Sequence, residues 1–109
     1  MKVELCVPIV CEKGVPECRS AGIFPMYRTI ELPFAPYPGL ILAVGGKDGD
    51  FDHFKIESAN HYDVEGKVFY VRCEQWHASD DDNLSQLVAD LTNLRFAPES
   101  LTPEMAPLP

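Results

Sequence analysis

The chain has no apolar run that could span a bilayer. About 20 residues are needed, and the longest run, Gly39 to Val44, has only strand length. Its first residues, Met1-Lys2-Val3-Glu4-Leu5, place an acid where an export signal would continue its apolar segment. The sequence is therefore read as soluble and intracellular, with the cytoplasm as the expected compartment. Catalytic signatures are missing as well. Neither G-x-S-x-G nor H-E-x-x-H occurs, and Gly45-Gly46 lacks the Lys-Ser/Thr and the helix start of a phosphate-binding loop. There is no C-x-x-C pair among Cys6, Cys11, Cys18 and Cys73. Without an export signal these four read as reduced thiols, small buried hydrophobes rather than zinc ligands, which must converge in threes or fours.

Basic residues are scarce beyond the first half. Residues 1–47 hold five Lys/Arg against four Asp/Glu, whereas residues 48–109 hold four against thirteen. These halves contribute +1 and −9 to the net charge of −8. Such a surface repels phosphate backbones and anionic membranes and attracts basic partners. Direct nucleic-acid and membrane binding are thereby disfavoured.

What is present is a single domain's worth of patterned sequence, 109 residues with 46% hydrophobic content and no internal repeats. Val3, Leu5, Val7, Ile9 and Cys11 alternate as one face of a strand opposite Lys2, Glu4 and Glu12. Pro8 cannot donate to a ladder, which predicts an edge position or a bulge. Residues 13–25 read as a loop, Met26 to Leu32 as a second strand, and Gly39 to Val44 as a buried central strand. Phe54–Tyr62 and Lys67–Trp76 form the clearest hairpin, joined at Asp63-Val64-Glu65-Gly66, with positive φ expected at Gly66 and Asp63 opposite Lys67. Leu84, Leu87, Val88, Leu91 and Leu94 recur at helical spacing behind Ser79-Asp80-Asp81-Asp82, whose acids suit a helix start. The expected fold is α+β: a curved antiparallel sheet of about five strands, able to close towards a small partly open barrel, with one C-terminal amphipathic helix. Residues 1–96 form this domain and 97–109 a proline-rich mobile tail.

The hairpin register collects Phe54, Tyr62, Tyr70, Arg72, Glu74 and Trp76 on one side, aromatic bodies beside an Arg and a carboxylate. That is the candidate binding surface. Asp80, Asp81 and Asp82 form a candidate acidic docking surface, although helix starts favour acids for electrostatic reasons alone. Asp48, Asp50 and Asp52 have the opening spacing of a calcium loop, but His53 and Ala59 stand where its Gly and Glu are required. In the same register Cys73 lies about 13 Å from His61, at ~3.3 Å per residue, too far for a nucleophile pair.

No catalytic residue, metal or cofactor is assigned. The function expected is that of a small acidic non-enzymatic interaction or adaptor protein binding a protein partner, basic surfaces included. The alternative is a small-ligand-binding barrel or an enzyme of unrecognised type, with its pocket on the Phe54–Trp76 hairpin face. Self-association into a homodimer, through an edge strand at residues 3–11 or the aromatic face, is a third possibility.

Overall fold

The computed structural model describes residues 1–12, 22–46 and 49–99. Six strands and one helix follow in order: β1 (Lys2–Cys11), β2 (Gly22–Glu31), β3 (Ile41–Gly45), β4 (Phe51–Asp63), β5 (Val68–Cys73), β6 (Trp76–Ala78) and α1 (Asp81–Asn93). The sheet runs β2-β1-β5-β4-β3, with β6 beside β1. It curls into a half-barrel, and α1 packs against β1 and β6. The α+β fold read from the sequence is thus present. The sheet is mixed rather than wholly antiparallel, because β5 and β6 both run parallel to β1.

Val3, Leu5, Val7, Ile9 and Cys11 carry the core, as their alternation predicts, and meet Ile56, Val71, Cys73, Leu84 and Leu91 on the inner side of the curl. β1 is nevertheless central and not an edge. It pairs with β2 along its whole length, with β5 over Lys2–Cys6 and with β6 over Ile9–Cys11. Pro8 lies where its neighbour changes from β5 to β6, a place with no ladder partner to lose on that side. The other face of β1 is covered too: Glu4, flanked by Thr29 and Tyr70, is 2% exposed.

Four further expectations are corrected. Residues 22–25 belong to β2, not to a loop, with Pro25 opposite Pro8. β3 is an edge strand on which Ile41 and Ala43 are exposed, so its apolar run did not signify burial. At the β4–β5 turn, Asp63 faces Val68, and positive φ falls on Lys67 (54°) rather than Gly66. Finally, Ala97 exchanges both backbone hydrogen bonds with Tyr27 of β2, at 2.7 and 2.8 Å, so it is tied to the sheet. The rest of the proline-rich tail, from residue 100, lies outside the described residues.

The helix begins as its sequence suggests. Asp80 is the N-cap, its carboxylate accepting from the Asn83 amide at 2.6 Å, while the Asn83 side chain accepts from the Ser79 amide at 2.9 Å. It ends without glycine. Arg95 takes φ 65°, the Arg95 amide donates to the Thr92 carbonyl and the Phe96 amide to the Leu91 carbonyl, closing a Schellman motif in which buried Phe96 and Leu91 meet. Across the open side of the half-barrel, Arg28 Nη1 of β2 donates to the carbonyls of Gly45 (2.5 Å) and Leu94 (3.0 Å). One guanidinium thus joins the two sheet edges and the helix end. No helix among the described residues is long and apolar enough to cross a membrane.

Candidate functional site

The site is created by a register change. Cys6 pairs with Arg72, but three residues further on Ile9 pairs with Trp76, so the β5–β6 side carries one extra residue. That bulge falls at Glu74-Gln75 and turns Trp76 to the side of Ile9, inside the curl. Beyond it β4 and β6 are not ladder partners. The last backbone hydrogen bond between the two arms among the described residues is Glu74 N–H to the Lys55 carbonyl at 2.9 Å.

A half-open cleft of about 250 Å³ lies at this split. Ile41, His53, Phe54 and Lys55 line one side, and Glu74, Gln75 and Trp76 the other. Phe54 stacks on Trp76 (5.8 Å between centroids, 10° between planes) and tilts against Phe96 at 5.2 Å, giving the cleft an aromatic floor. Lys55 Nζ and Glu74 Oε1 approach to 3.7 Å at its rim, an exposed pair of small energetic weight.

On the outer face, beside the cleft, the β3–β4 register places Ile41 next to Lys55, Ala43 next to His53 and Gly45 next to Phe51. Ile41 is 60% exposed and Phe51 64%, with the His53 ring edge-on to Phe51 at 5.6 Å. Gly45 offers no side chain to cover Phe51, and the ring at the start of β4 stays in solvent.

The structure therefore divides the six residues that a uniform hairpin register puts on one face. Phe54, Glu74 and Trp76 meet at the cleft. Tyr70 and Arg72 lie on the outer side of β5, opposite Glu4 and Cys6 of β1. Tyr70 is only 1% exposed, edge-on to His61, and the Arg72 Nε is buried without a hydrogen bond among the described residues. Tyr62 packs on Phe69 at 4.4 Å, away from both groups. The physical cause is a pair of bulges in β4 together with the one at Glu74-Gln75. Ser58 faces Arg72 as expected, but the register slips by one on either side, setting Ile56 opposite Cys73 and His61 opposite Tyr70. Ile41, His53 and Phe51 are the members that sequence reasoning missed. Their signal, an apolar strand followed by Phe51-Asp52-His53, reads equally well as core.

Of the acidic groups, Asp80 is committed to capping the helix, with Asp81 and Asp82 in its first turn. The Asp52 carboxylate turns back onto the His53 amide at 2.7 Å. Asp48 lies outside the described residues. Among those described, no three His, Cys, Asp or Glu side chains converge as a metal site.

Cys73 and Trp76 share the inner side, which reopens the question of thiol chemistry. Burial answers it. Desolvation pushes the Cys73 thiol up to about 12, with Cys6 adding to the rise. It likewise pushes Cys6 up to about 11 despite the opposing field of Arg72. Both remain protonated, poor nucleophiles near neutral pH. His61 faces Tyr70 on the outer side, and His77 is exposed beside Gln75 and Glu12. Cys11 is disulfide-bonded and is not the reduced thiol expected. That expectation rested on a reading of the first five residues, which says nothing of which thiols lie close together.

Comparison with protein-family models, with curated proteins and with solved structures finds no match to this chain. The fold and site define it only as an α+β half-barrel with an aromatic-floored cleft.

Proposed function

We propose that this chain is a small acidic interaction protein that binds a protein partner through the outer face of β3–β4 and the adjoining cleft. The observation that carries the reading is a pair of large exposed apolar side chains, Ile41 and Phe51, on one face of neighbouring strands, with Ala43 and His53 between them, beside the Phe54–Trp76 cleft. Exposed large apolar side chains set among polar ones are the usual composition of a protein contact. The net charge of −8 favours a basic partner and fast, salt-sensitive association. Among the described residues no nucleophile–base pair lines the cleft. His53, the one histidine at its lining, meets Phe51 and not a cysteine.

The test is capture of partners from a cell extract with the natural chain and with an Ile41→Asp/Phe51→Asp double variant, at low and high salt. The reading requires bands lost with the double variant and weakened by salt. Identical capture by both baits disproves it.

A small-ligand reading draws on the same cleft, because Phe54, Glu74 and Trp76 do line it. Ligand pockets usually occupy about 300–1,000 Å³ and enclose most of the ligand, and this cleft is smaller and half open. The emission of Trp76 in a metabolite screen tests it, a flat response across the screen counting against it.

A further inference from the structure

The hydrogen-bond pattern of β3 fixes which of its backbone groups look outward. The Ile56 amide donates to the Leu40 carbonyl and the Gly46 amide to the Asp50 carbonyl, so even-numbered residues of β3 face β4. The amides and carbonyls of Ile41, Ala43 and Gly45 therefore point away from the sheet. The Gly45 carbonyl is taken by Arg28. Ile41 and Ala43 have no backbone partner on that side among the described residues. Natural edges are blunted by proline, lysine, bulges or a covering segment. The other edge, β2, uses two of these devices: Pro25, which removes one amide, and the Ala97 bridge at Tyr27. Ile41-Leu42-Ala43-Val44-Gly45 holds no proline, lysine or bulge, and no described backbone segment pairs with its outer side.

We propose that the outer edge of β3 takes an extended basic peptide segment of a partner protein as an added strand, through main-chain hydrogen bonds at Ile41 and Ala43. This rests on the interaction reading above and gives it a mode. An added strand would place every second side chain beside Ile41 and Ala43, in line with His53 and Phe51 on the outer face, which calls for apolar residues there. The choice of a basic segment over a second copy of this chain follows from charge. Two copies meeting edge to edge would each bring a net −8 and the exposed carboxylates of Asp50 and Asp52. A lysine- or arginine-bearing strand meets those carboxylates favourably.

The test uses the full chain and a synthetic peptide of about eight residues alternating valine and lysine, a length typical of strands, with a valine–glutamate peptide as the charge control. Binding is followed by amide chemical shifts and by hydrogen exchange. The expected result is binding of the lysine peptide alone, with exchange at Ile41 and Ala43 slowed. Ala43→Pro removes one outward amide while leaving the β3–β4 ladder intact, and it should weaken binding about tenfold, the factor for one lost hydrogen bond. Unchanged thermal unfolding and Trp76 emission would certify that variant as folded. Should it prove misfolded, Ile41→Lys, whose side chain is already in solvent, serves instead and should weaken the lysine peptide by charge repulsion.

Protection elsewhere with none at Ile41 and Ala43, or equal affinity in the Ala43→Pro and Ile41→Lys variants, overturns the proposal. So does a dimer in sedimentation that Ala43→Pro abolishes, since the occupant is then a second copy. Partner capture lost with Ile41→Asp/Phe51→Asp but retained with Ala43→Pro overturns strand addition alone. Capture retained by both removes the interaction reading with it.

Discussion

The ring of Phe54 lies over the indole of Trp76 across the split between β4 and β6, the planes within 10° of parallel. This contact holds the two arms of the sheet together where the ladder does not. Trp76 is the only tryptophan in the chain, so its emission reports this place alone. Replacing Phe54 with Leu keeps the site apolar and removes the stack, worth about 0.5–1.5 kcal/mol beyond area burial. We expect a fall in unfolding free energy of about 1–2 kcal/mol in denaturant titration, with a red shift of native emission. A red shift without loss of stability would mean that the stack is incidental to holding the arms.

The buried thiols give the fold an alkaline limit. Cys6 and Cys73 have an ordinary value of 9.0, raised in the fold to about 11 and about 12. The folded chain thus holds these protons more tightly than the unfolded chain. The associated stability is complete below pH 9.0 and is lost as pH rises through the range up to about 12. Thermal melts across this range should show a falling midpoint, and Cys73→Ala should make the fall shallower while costing some stability at neutral pH through the cavity it leaves. A slope identical to that of the natural chain would assign the alkaline loss to other groups. The same two thiols should resist an aromatic disulfide reagent until denaturant is added.

How much of this the residues disclose depends on range. The β1 alternation, the acidic helix start at residues 79–82 and the Leu84–Leu91 stripe are local patterns: the first and last mark apolar faces that are buried, and the second marks where the helix begins. The Ser58–Arg72 pair agrees with the expected register only because the bulge between Ser58 and His61 offsets the one-residue difference at the turn. The candidate site is not legible, because it is made by insertions of a single residue: two slips in β4 and one at Glu74-Gln75. Each reverses the face of everything beyond it, and no residue type marks them. Nor does any local pattern say that β1 would be shared between β5 and β6, or that Ile41-Leu42-Ala43 would lie at an edge. Strand order is a property of contacts many residues apart, and apolar runs look alike in centre and edge strands.

Closure of the half-barrel depends on one such distant contact. Arg28 reaches the Gly45 and Leu94 carbonyls, and next to it Gly46 lies against the helix end so closely that a Cβ would come within 2.3 Å of the Asn93 carbonyl oxygen and 2.7 Å of Leu94 Cα. Both neighbours are backbone and cannot swing aside. Arg28→Ala leaves two carbonyls without their donor and should cost about 2 kcal/mol. Gly46→Ala should cost about 1–3 kcal/mol by overpacking. Hydrogen exchange would locate either loss at β3 and the last turn of α1 before the rest of the sheet. Uniform loosening across β1 and β5 would mean that this junction does not hold the barrel shut.

Arg95 offers the opposite kind of change. It adopts a left-handed conformation at the helix C-terminus (φ 65°), where a side chain other than glycine's crowds its own backbone at a cost of roughly 1–2 kcal/mol. Its charge does favour the negative helix end, by about 0.3–1 kcal/mol, but its neighbourhood counts against it: the Arg28 pKa is lowered chiefly by burial and further by the Arg95 charge. Relief of backbone strain and of this repulsion outweighs the lost dipole term, so Arg95→Gly should raise unfolding free energy by up to about 1 kcal/mol. Arg95→Ala should do less, because it removes the charge and keeps the Cβ. The comparison separates the two causes: if alanine stabilises as much as glycine, charge is responsible and the strain at this position is negligible.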